Sequence, residues 1–271
     1  MGEKRVLITG AGSGLGRALA RRYAGAGCAV ACADIVPERA EETVALLPGG
    51  GHFALAVDVG DDASVEALRD ALLARWDTLD VVVNNAGVAS GGGLLDSSME
   101  EWRWMLEINL LGVLRGCRAF VPQFLRQRRG QVINIASFAG LAGAPNIMSY
   151  GVAKAGVVAL SEQLRAELHP HGIGVSVVCP SFFQTRLCEN FRGDPRIKDV
   201  AAKMMHSARE SADDIAAAVF DAAARGTFLI LPTRAERMRW RLKRWFPELY
   251  FRKLMEMATR RSSAPPRSAG R

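Results

Sequence analysis

Three residues in the middle of the chain carry groups that suit one kind of chemistry: Ser137, Tyr150 and Lys154. Tyr150 and Lys154 are four apart, so a helix would set them on one face. Ser137 follows an apolar run over 131–136 that reads as a buried strand, which places it where the chain leaves a sheet. A free tyrosine ionises near about pH 10, too high for an efficient base at neutral pH, and a neighbouring ammonium favours the phenolate. A serine hydroxyl can hold a substrate oxygen while its proton moves. The set suits proton exchange with an alcohol or carbonyl oxygen while hydride moves on the adjoining carbon. A tyrosine and a lysine one turn apart also occur on any surface helix, so the elements around them decide the reading.

Those elements repeat a strand–helix rhythm. Residues 5–9 are a short apolar strand. Gly10, Gly14 and Gly16 follow Thr9 in the pattern T-G-x-x-x-G-x-G, ahead of a helical run over 17–26. A glycine-rich turn between strand and helix lets backbone amides approach a pyrophosphate, and the helix N-terminus adds favourable partial charge. A second strand over 28–33 ends at Asp34, eighteen residues past Gly16. A carboxylate there can accept from adenosine ribose hydroxyls and repels a 2′-phosphate, and neither Ser13 nor Ile35 supplies a cation to answer one. NAD is therefore expected over NADP. The alternative is that Asp34 caps the next helix, for which Pro37 suits the first turn.

A strand over 53–57 ends at Asp58 and Val59, which could flank an adenine ring. A helix over 64–76, a strand over 79–83 and the run Asn84, Asn85, Ala86, Gly87 come next. Residues 99–128 read as one long helix with Asn109 inside an apolar stretch. Asn109 is either a satisfied packing amide or part of a water-filled proton relay near Lys154. Beyond Lys154 the helix runs to about residue 167. A sixth strand over 175–179 ends at Pro180, and residues 181–210 lose periodicity and read as an irregular lid containing Phe182, Phe183, Phe191, Met204 and Met205. A helix over 212–224 and a strand over 227–231 complete an α/β pattern. Repeated buried strands with intervening helices imply a doubly wound parallel sheet of about seven strands, covered on both faces.

At 271 residues, 49% apolar and 23% charged, the chain fits one large domain. No run reaches the ~18 apolar residues of a membrane span. The first residues enter a strand without a signal-peptide core, and Val6 breaks the myristoylation pattern that Gly2 begins. The five cysteines contain no C-x-x-C pair, and Cys32 and Cys179 in strand-like runs read as buried reduced thiols, hence a cytoplasmic location. The four histidines have no metal spacing. The formal charge of +7 is uneven: residues 234–271 carry twelve basic and three acidic groups, and the first 233 carry 23 and 25.

Taken together, residues 5–231 resemble the short-chain dehydrogenase/reductase family. The resemblance rests on Thr9 to Gly16, Asn84 to Gly87, Asn109, Ser137, Tyr150 and Lys154, with twelve residues between Ser137 and Tyr150. It implies a Rossmann-type fold and an NAD(P)-dependent oxidoreductase with Asn109, Ser137, Tyr150 and Lys154 as a catalytic tetrad. Tyr150 would be the acid/base, Ser137 would orient the substrate oxygen, Lys154 would lower the tyrosine pKa and bond the nicotinamide ribose, and Asn109 would support the relay. Cofactor contacts would come from Gly10, Ser13, Gly14, Leu15, Gly16, Asp34, Asp58, Val59, Asn85, Ala86, Gly87, Tyr150, Lys154, Pro180 and Thr185, the last at the nicotinamide carboxamide. Homodimers or homotetramers are also implied. One departure is visible: the family's Pro-Gly pair after strand six is Pro180-Ser181 here.

The chain divides into a catalytic domain over 1–233, a basic amphipathic helical extension over 234–261, and a tail over 262–271 whose composition reads as disordered. In the extension, Met238, Leu242, Trp245, Phe246 and Leu249 share one helical face, with Arg237, Arg241 and Arg244 beside it, and Pro247 divides two helices. The second helix carries Leu249, Tyr250, Phe251, Leu254, Met255 and Met257. The composition suits peripheral contact with a membrane surface, or packing over the substrate cleft or on a second subunit. Nucleic acid is not an expected partner, since the aromatics lie on apolar stripes. The function expected is hydride transfer between NAD and an apolar or lipid-like alcohol or ketone. The alternatives are a non-catalytic nucleotide-sensing or membrane scaffold on the same fold, and a 3-oxoacyl reductase of lipid synthesis.

Overall fold

The computed structural model describes residues 4–185, 189 and 191–262. In chain order the strands are β1 (Arg5–Thr9), β2 (Ala29–Asp34), β3 (Phe53–Ala56), β4 (Val81–Asn84), β5 (Ser90–Gly91), β6 (Gly130–Ile135), β7 (Ile173–Val178), β8 (Arg192–Gly193) and β9 (Leu229–Ile230). Seven of them form one parallel sheet in the order β3-β2-β1-β4-β6-β7-β9. The chain winds outward from β1 to β3, then returns to β4 on the other side of β1. That reversal opens a crevice at the carboxyl ends of β1 and β4, where ligands bind in such sheets.

The apolar strand runs bury both faces. Val6, Ile8, Val30, Cys32, Val83 and Ile133 face a layer containing α1 (Gly14–Gly25) and α9 (Ala212–Ala224), which contribute Leu15, Leu19, Tyr23, Ile215 and Val219. Their neighbours Leu7, Ala31, Val82, Val132 and Val177 face the opposite layer, built from α3 (Asp62–Arg75), α5 (Gly112–Gln127) and α7 (Met148–Leu168). Phe120 and Phe124 of α5 are fully buried there, each stabilising the layer by roughly 1.5–3 kcal/mol. α2 (Pro37–Ala45) starts on Pro37.

Two local expectations are corrected. Residues 99–128 do not form one helix: α4 (Met99–Leu106) and α5 are joined by a π-helical turn, Glu107–Leu111. The wider turn accompanies Asn109, whose amide is drawn inward to the backbone of Val88. The segment 181–210 is not irregular throughout. Asp194 caps α8 (Pro195–His206) by accepting from Arg196 N at 2.8 Å, with Pro195 at the first helical position. β8 pairs with β5 as a separate two-stranded parallel sheet. A short helix, α6 (Ala139–Ala142), also separates Ser137 from α7.

The extension forms α10 (Arg234–Trp245) and α11 (Pro247–Ser262), divided at Pro247. Its inward side is not the apolar stripe read from the sequence, which leaves that stripe for an outer contact. Glu236 and Tyr250 are buried and Trp240 packs on the core, whereas Met238, Trp245, Phe246 and Leu249 are exposed. Helix α11 reaches Ser262, and the remainder of the segment read as disordered lies outside the described residues. No described helix is long and apolar enough to cross a membrane.

Candidate active site

Strand ends carry most of the site. Thr9, Asp34, Asn84, Ser137 and Pro180 all lie at or just past the carboxyl ends of sheet strands, so one edge gathers them. The glycine turn after β1 is braced from β4. The Asn85 side-chain amide donates to Thr9 O at 2.8 Å and Gly10 O at 3.2 Å, while Thr9 Oγ1 accepts from Asn85 N and Ala86 N at 3.0 and 3.1 Å. Asn85 and Ala86 thus shape the crevice as well as lining it. Two glycines cannot be replaced there. Gly14 has φ +50° and faces Thr185 Oγ1, and a Cβ on Gly16 would stand 2.1 Å from Gly10 O.

Ser13 occupies the N-cap of α1 without a side-chain cap bond, and Leu15 is buried behind it. The turn therefore presents backbone amides at a helix N-terminus, the donor set a pyrophosphate takes. Asp34 is only 9% exposed. Its carboxylate accepts from Gly12 N at 2.8 Å and Val36 N at 3.1 Å, and Val36, not Asp34, is the N-cap of α2. Asp58 accepts from Gly60 N at 2.8 Å, and Val59 packs against Gly112. These residues fit a nicotinamide dinucleotide: the glycine turn has no room for a Cβ, and Asp34 places a carboxylate beside it.

On the reacting side, Lys154 is buried and its Nζ donates to Ile135 O, the last residue of β6, at 2.9 Å. Burial pushes this lysine down to about 8. Its Nζ lies 6.0 Å from the ring centre of Tyr150, which is half-buried in the first turn of α7. Ser137 Oγ accepts from Ala139 N at 3.1 Å and donates to Pro180 O at 3.4 Å. Asn109 is fully buried. Its amide donates to Val88 O at 2.8 Å, and its oxygen accepts from Val88 N at 2.9 Å. A Cβ on Gly87 would stand 2.7 Å from Asn109 Oδ1 and 3.5 Å from Lys154 Nζ, so Gly87 lies between them. Both polar atoms of the Asn109 side chain are thus taken up by the backbone of Val88, as in a satisfied packing amide.

Beneath the site, Asn84 donates to Asn134 at 2.9 Å, Asn134 to Ser161 at 3.0 Å and Ser161 to Val157 O at 2.7 Å. This buried chain ties β4, β6 and α7 together. A Cβ on Gly116 of α5 would meet Asn84 Oδ1 at 2.0 Å.

Two features escape sequence reasoning. The β5 strap bonds to the segment 181–210 through β8 and to the segment before Tyr150 through Gly92 N to Asn146 O at 2.9 Å. Ser90 and Ser149 hydroxyls meet at 2.9 Å. Two-residue strands leave no periodicity to read. The other feature is Glu236 of α10, 1% exposed, which accepts from Ser181 N at 2.5 Å and Thr233 N at 2.8 Å. Burial raises its carboxyl pKa, against the lowering effect of those donors. The spacing Thr233-x-x-Glu236 is a legible capping box, but the contact with Ser181 is not.

Residues 4–196 match the family described as short chain dehydrogenase. The chain belongs to that family. It is similar to D-threitol dehydrogenase of Mycolicibacterium smegmatis, 37% identical over 228 residues, covering 82% of this chain and 87% of the relative. It is also similar to the probable oxidoreductase EphD of Mycobacterium tuberculosis, 35% identical over 189 residues; these are 69% of this chain and only 32% of that longer protein. A short-chain dehydrogenase/reductase from Burkholderia phymatum, solved in complex with NAD, superposes with a TM-score of 0.85 at 33% identity, covering 91% of this chain and 95% of that one.

Proposed function

We propose that the chain is a nicotinamide-dependent oxidoreductase that interconverts an apolar alcohol and its ketone or aldehyde, with NAD preferred. The observation that carries this reading is the buried Lys154 ammonium, fixed to Ile135 O beside Tyr150. A surface helix has no use for a buried cation, whereas a phenol that must give and take a proton near neutral pH has.

In the oxidative direction Ser137 Oγ holds the substrate oxygen, and the Tyr150 phenolate takes its proton. Lys154 favours the phenolate and would hold the nicotinamide ribose. The bound dinucleotide supplies the hydride acceptor at its nicotinamide ring. In the reductive direction Tyr150 returns the proton. Asp34 supports NAD, since its carboxylate would face a 2′-phosphate. The guanidinium of Arg39, whose Cβ overlies Gly12, is engaged by Glu189 at 3.3 Å. Exposed Leu94, Leu95, Met148 and Phe182, on segments adjoining Tyr150 and Pro180, support an apolar substrate.

The test is hydride transfer with NAD+ and NADP+ in parallel, against short alcohols, diols, long-chain alcohols and hydroxysteroids. Turnover is expected with NAD+ and an apolar alcohol. Turnover with NADP+ alone would overturn the Asp34 argument. Tyr150→Phe should lower kcat by about 10²–10⁴-fold with NADH binding retained. Silence of the wild type across the panel, with NADH still bound, would favour a nucleotide sensor.

The extension over 234–261 is read as a peripheral contact with an anionic membrane surface. Trp245, Phe246, Phe251 and Met257 are exposed among its many basic residues. Flotation with anionic liposomes should fall when Trp245 and Phe246 are both changed to Ser; equal flotation would remove the claim. Assembly as a homodimer or homotetramer is carried by the family resemblance, and sedimentation of the full chain tests it.

A further inference from the structure

The peptide bond between Pro180 and Ser181 is held from both sides. Its carbonyl oxygen accepts from Phe138 N at 2.8 Å and from Ser137 Oγ at 3.4 Å. Its N–H donates to Glu236 Oε1 at 2.5 Å. The same carboxylate accepts from Thr233 N through its other oxygen, at 2.8 Å, and so is anchored at the start of α10. Seven residues along α10 from Glu236 the chain reaches Lys243, whose Nζ donates to Leu141 O in α6, the short helix that follows Ser137. Helix α10 therefore grips the Ser137 segment at two points, one through the Pro180–Ser181 peptide and one through α6.

From this geometry we infer that Glu236 is a positioning residue for the reaction. It fixes the plane of the Pro180–Ser181 peptide and, through Pro180 O, the direction of the Ser137 hydroxyl and the root of the lid. A serine at 181 lacks the conformational range of glycine, and its N–H is the donor that the carboxylate takes. A buried carboxylate is costly to desolvate, and an ordinary helix cap on the surface would satisfy α10 without that cost. The C-terminal extension is in this view part of the catalytic frame, whatever its outer face contacts. The inference rests on Ser137 being the hydroxyl that holds the substrate oxygen.

The test compares the full chain with Glu236→Ala, Glu236→Gln and Thr233→Ala by amide hydrogen exchange and by turnover. Thr233→Ala removes the hydroxyl that caps Glu236 N but leaves the carboxylate facing Ser181. Glu236→Ala should speed exchange in peptides spanning 137–142 and 180–185 by about tenfold or more and lower kcat by about ten- to a hundredfold, with NADH affinity held within a few-fold. Glu236→Gln, which keeps one acceptor oxygen, should fall between. Thr233→Ala should speed exchange only at the start of α10 and keep kcat. In a Ser137→Ala background, Glu236→Ala should cost much less additional turnover than it does in the wild type. Unchanged exchange over 180–185 in Glu236→Ala overturns the inference, and so does an equal loss of turnover in both backgrounds. A wild type that transfers no hydride would count against the proposed activity, and the exchange measurement would still decide the contact.

Discussion

Lys154 Nζ donates to Ile135 O, so the ammonium one turn after Tyr150 is fastened to the end of the strand that delivers Ser137. This bond sets the distance between helix α7 and strand β6 at the point where the reaction would occur. It also holds a charge in a place that disfavours charge.

That tension gives a pH dependence of definite sign. Burial lowers Lys154 from 10.5 to about 8 in the folded chain. Between those values the unfolded chain binds more protons, so folding stability rises with pH across that window. The cost of burying the ammonium is fully present below pH 8 and relieved by about pH 10.5. Urea unfolding of nucleotide-free wild type and Lys154→Met should therefore show the wild type gaining on the variant, by on the order of 3 kcal/mol, as pH rises from 8 to 10.5. A constant difference would show that Lys154 is not buried as charge. The variant should also lose most of its turnover at pH 7.

Asp34 carries cofactor choice and loop geometry together, because its carboxylate accepts from Gly12 N and Val36 N. Asp34→Ser should lower kcat/KM for NAD+ by about tenfold or more, through loss of both functions, and lower it far less for NADP+, where repulsion is removed. The ratio of the two constants is the measurement. An unchanged ratio would remove Asp34 from cofactor selection.

Two glycines on helices should respond to alanine with opposite signs. A Cβ on Gly116 would meet Asn84 Oδ1 at 2.0 Å, and Asn84 is held by Asn134. Overpacking and a strained buried hydrogen bond should outweigh the helix-propensity gain, for a net loss of about 2 kcal/mol. A Cβ on Gly25 meets nothing within 4 Å, so Gly25→Ala should gain about 0.5–1 kcal/mol. Denaturant midpoints of the two variants check both.

The strap at β5 should govern the lid. A Cβ on Gly91 would stand 2.3 Å from Ile197 and 2.7 Å from Phe191. Gly91→Ala should push the lid outward, speed tryptic cleavage within 192–203 several-fold and raise KM for substrate more than it lowers kcat. Cleavage and KM at wild-type levels would mean that the strap merely borders the lid.

Much of this protein was legible in the chain itself. Continuous apolar strands need cover on both faces, and glycines at strand ends need a ligand or a tight turn, so the doubly wound sheet and the glycine turn follow from composition and spacing. The four-residue separation of Tyr150 and Lys154 sets them on one helical face for the same local reason. Pro247 divided the extension as its missing N–H requires. The tertiary structure alone decided the remainder. The π turn at Asn109, the pairing of β5 with β8, the burial of Lys154 and the reach of Glu236 to Ser181 all join residues distant in sequence. Local propensity and periodicity are properties of neighbours along the chain, whereas hydrogen bonds across a crevice depend on where the packed layers bring their ends.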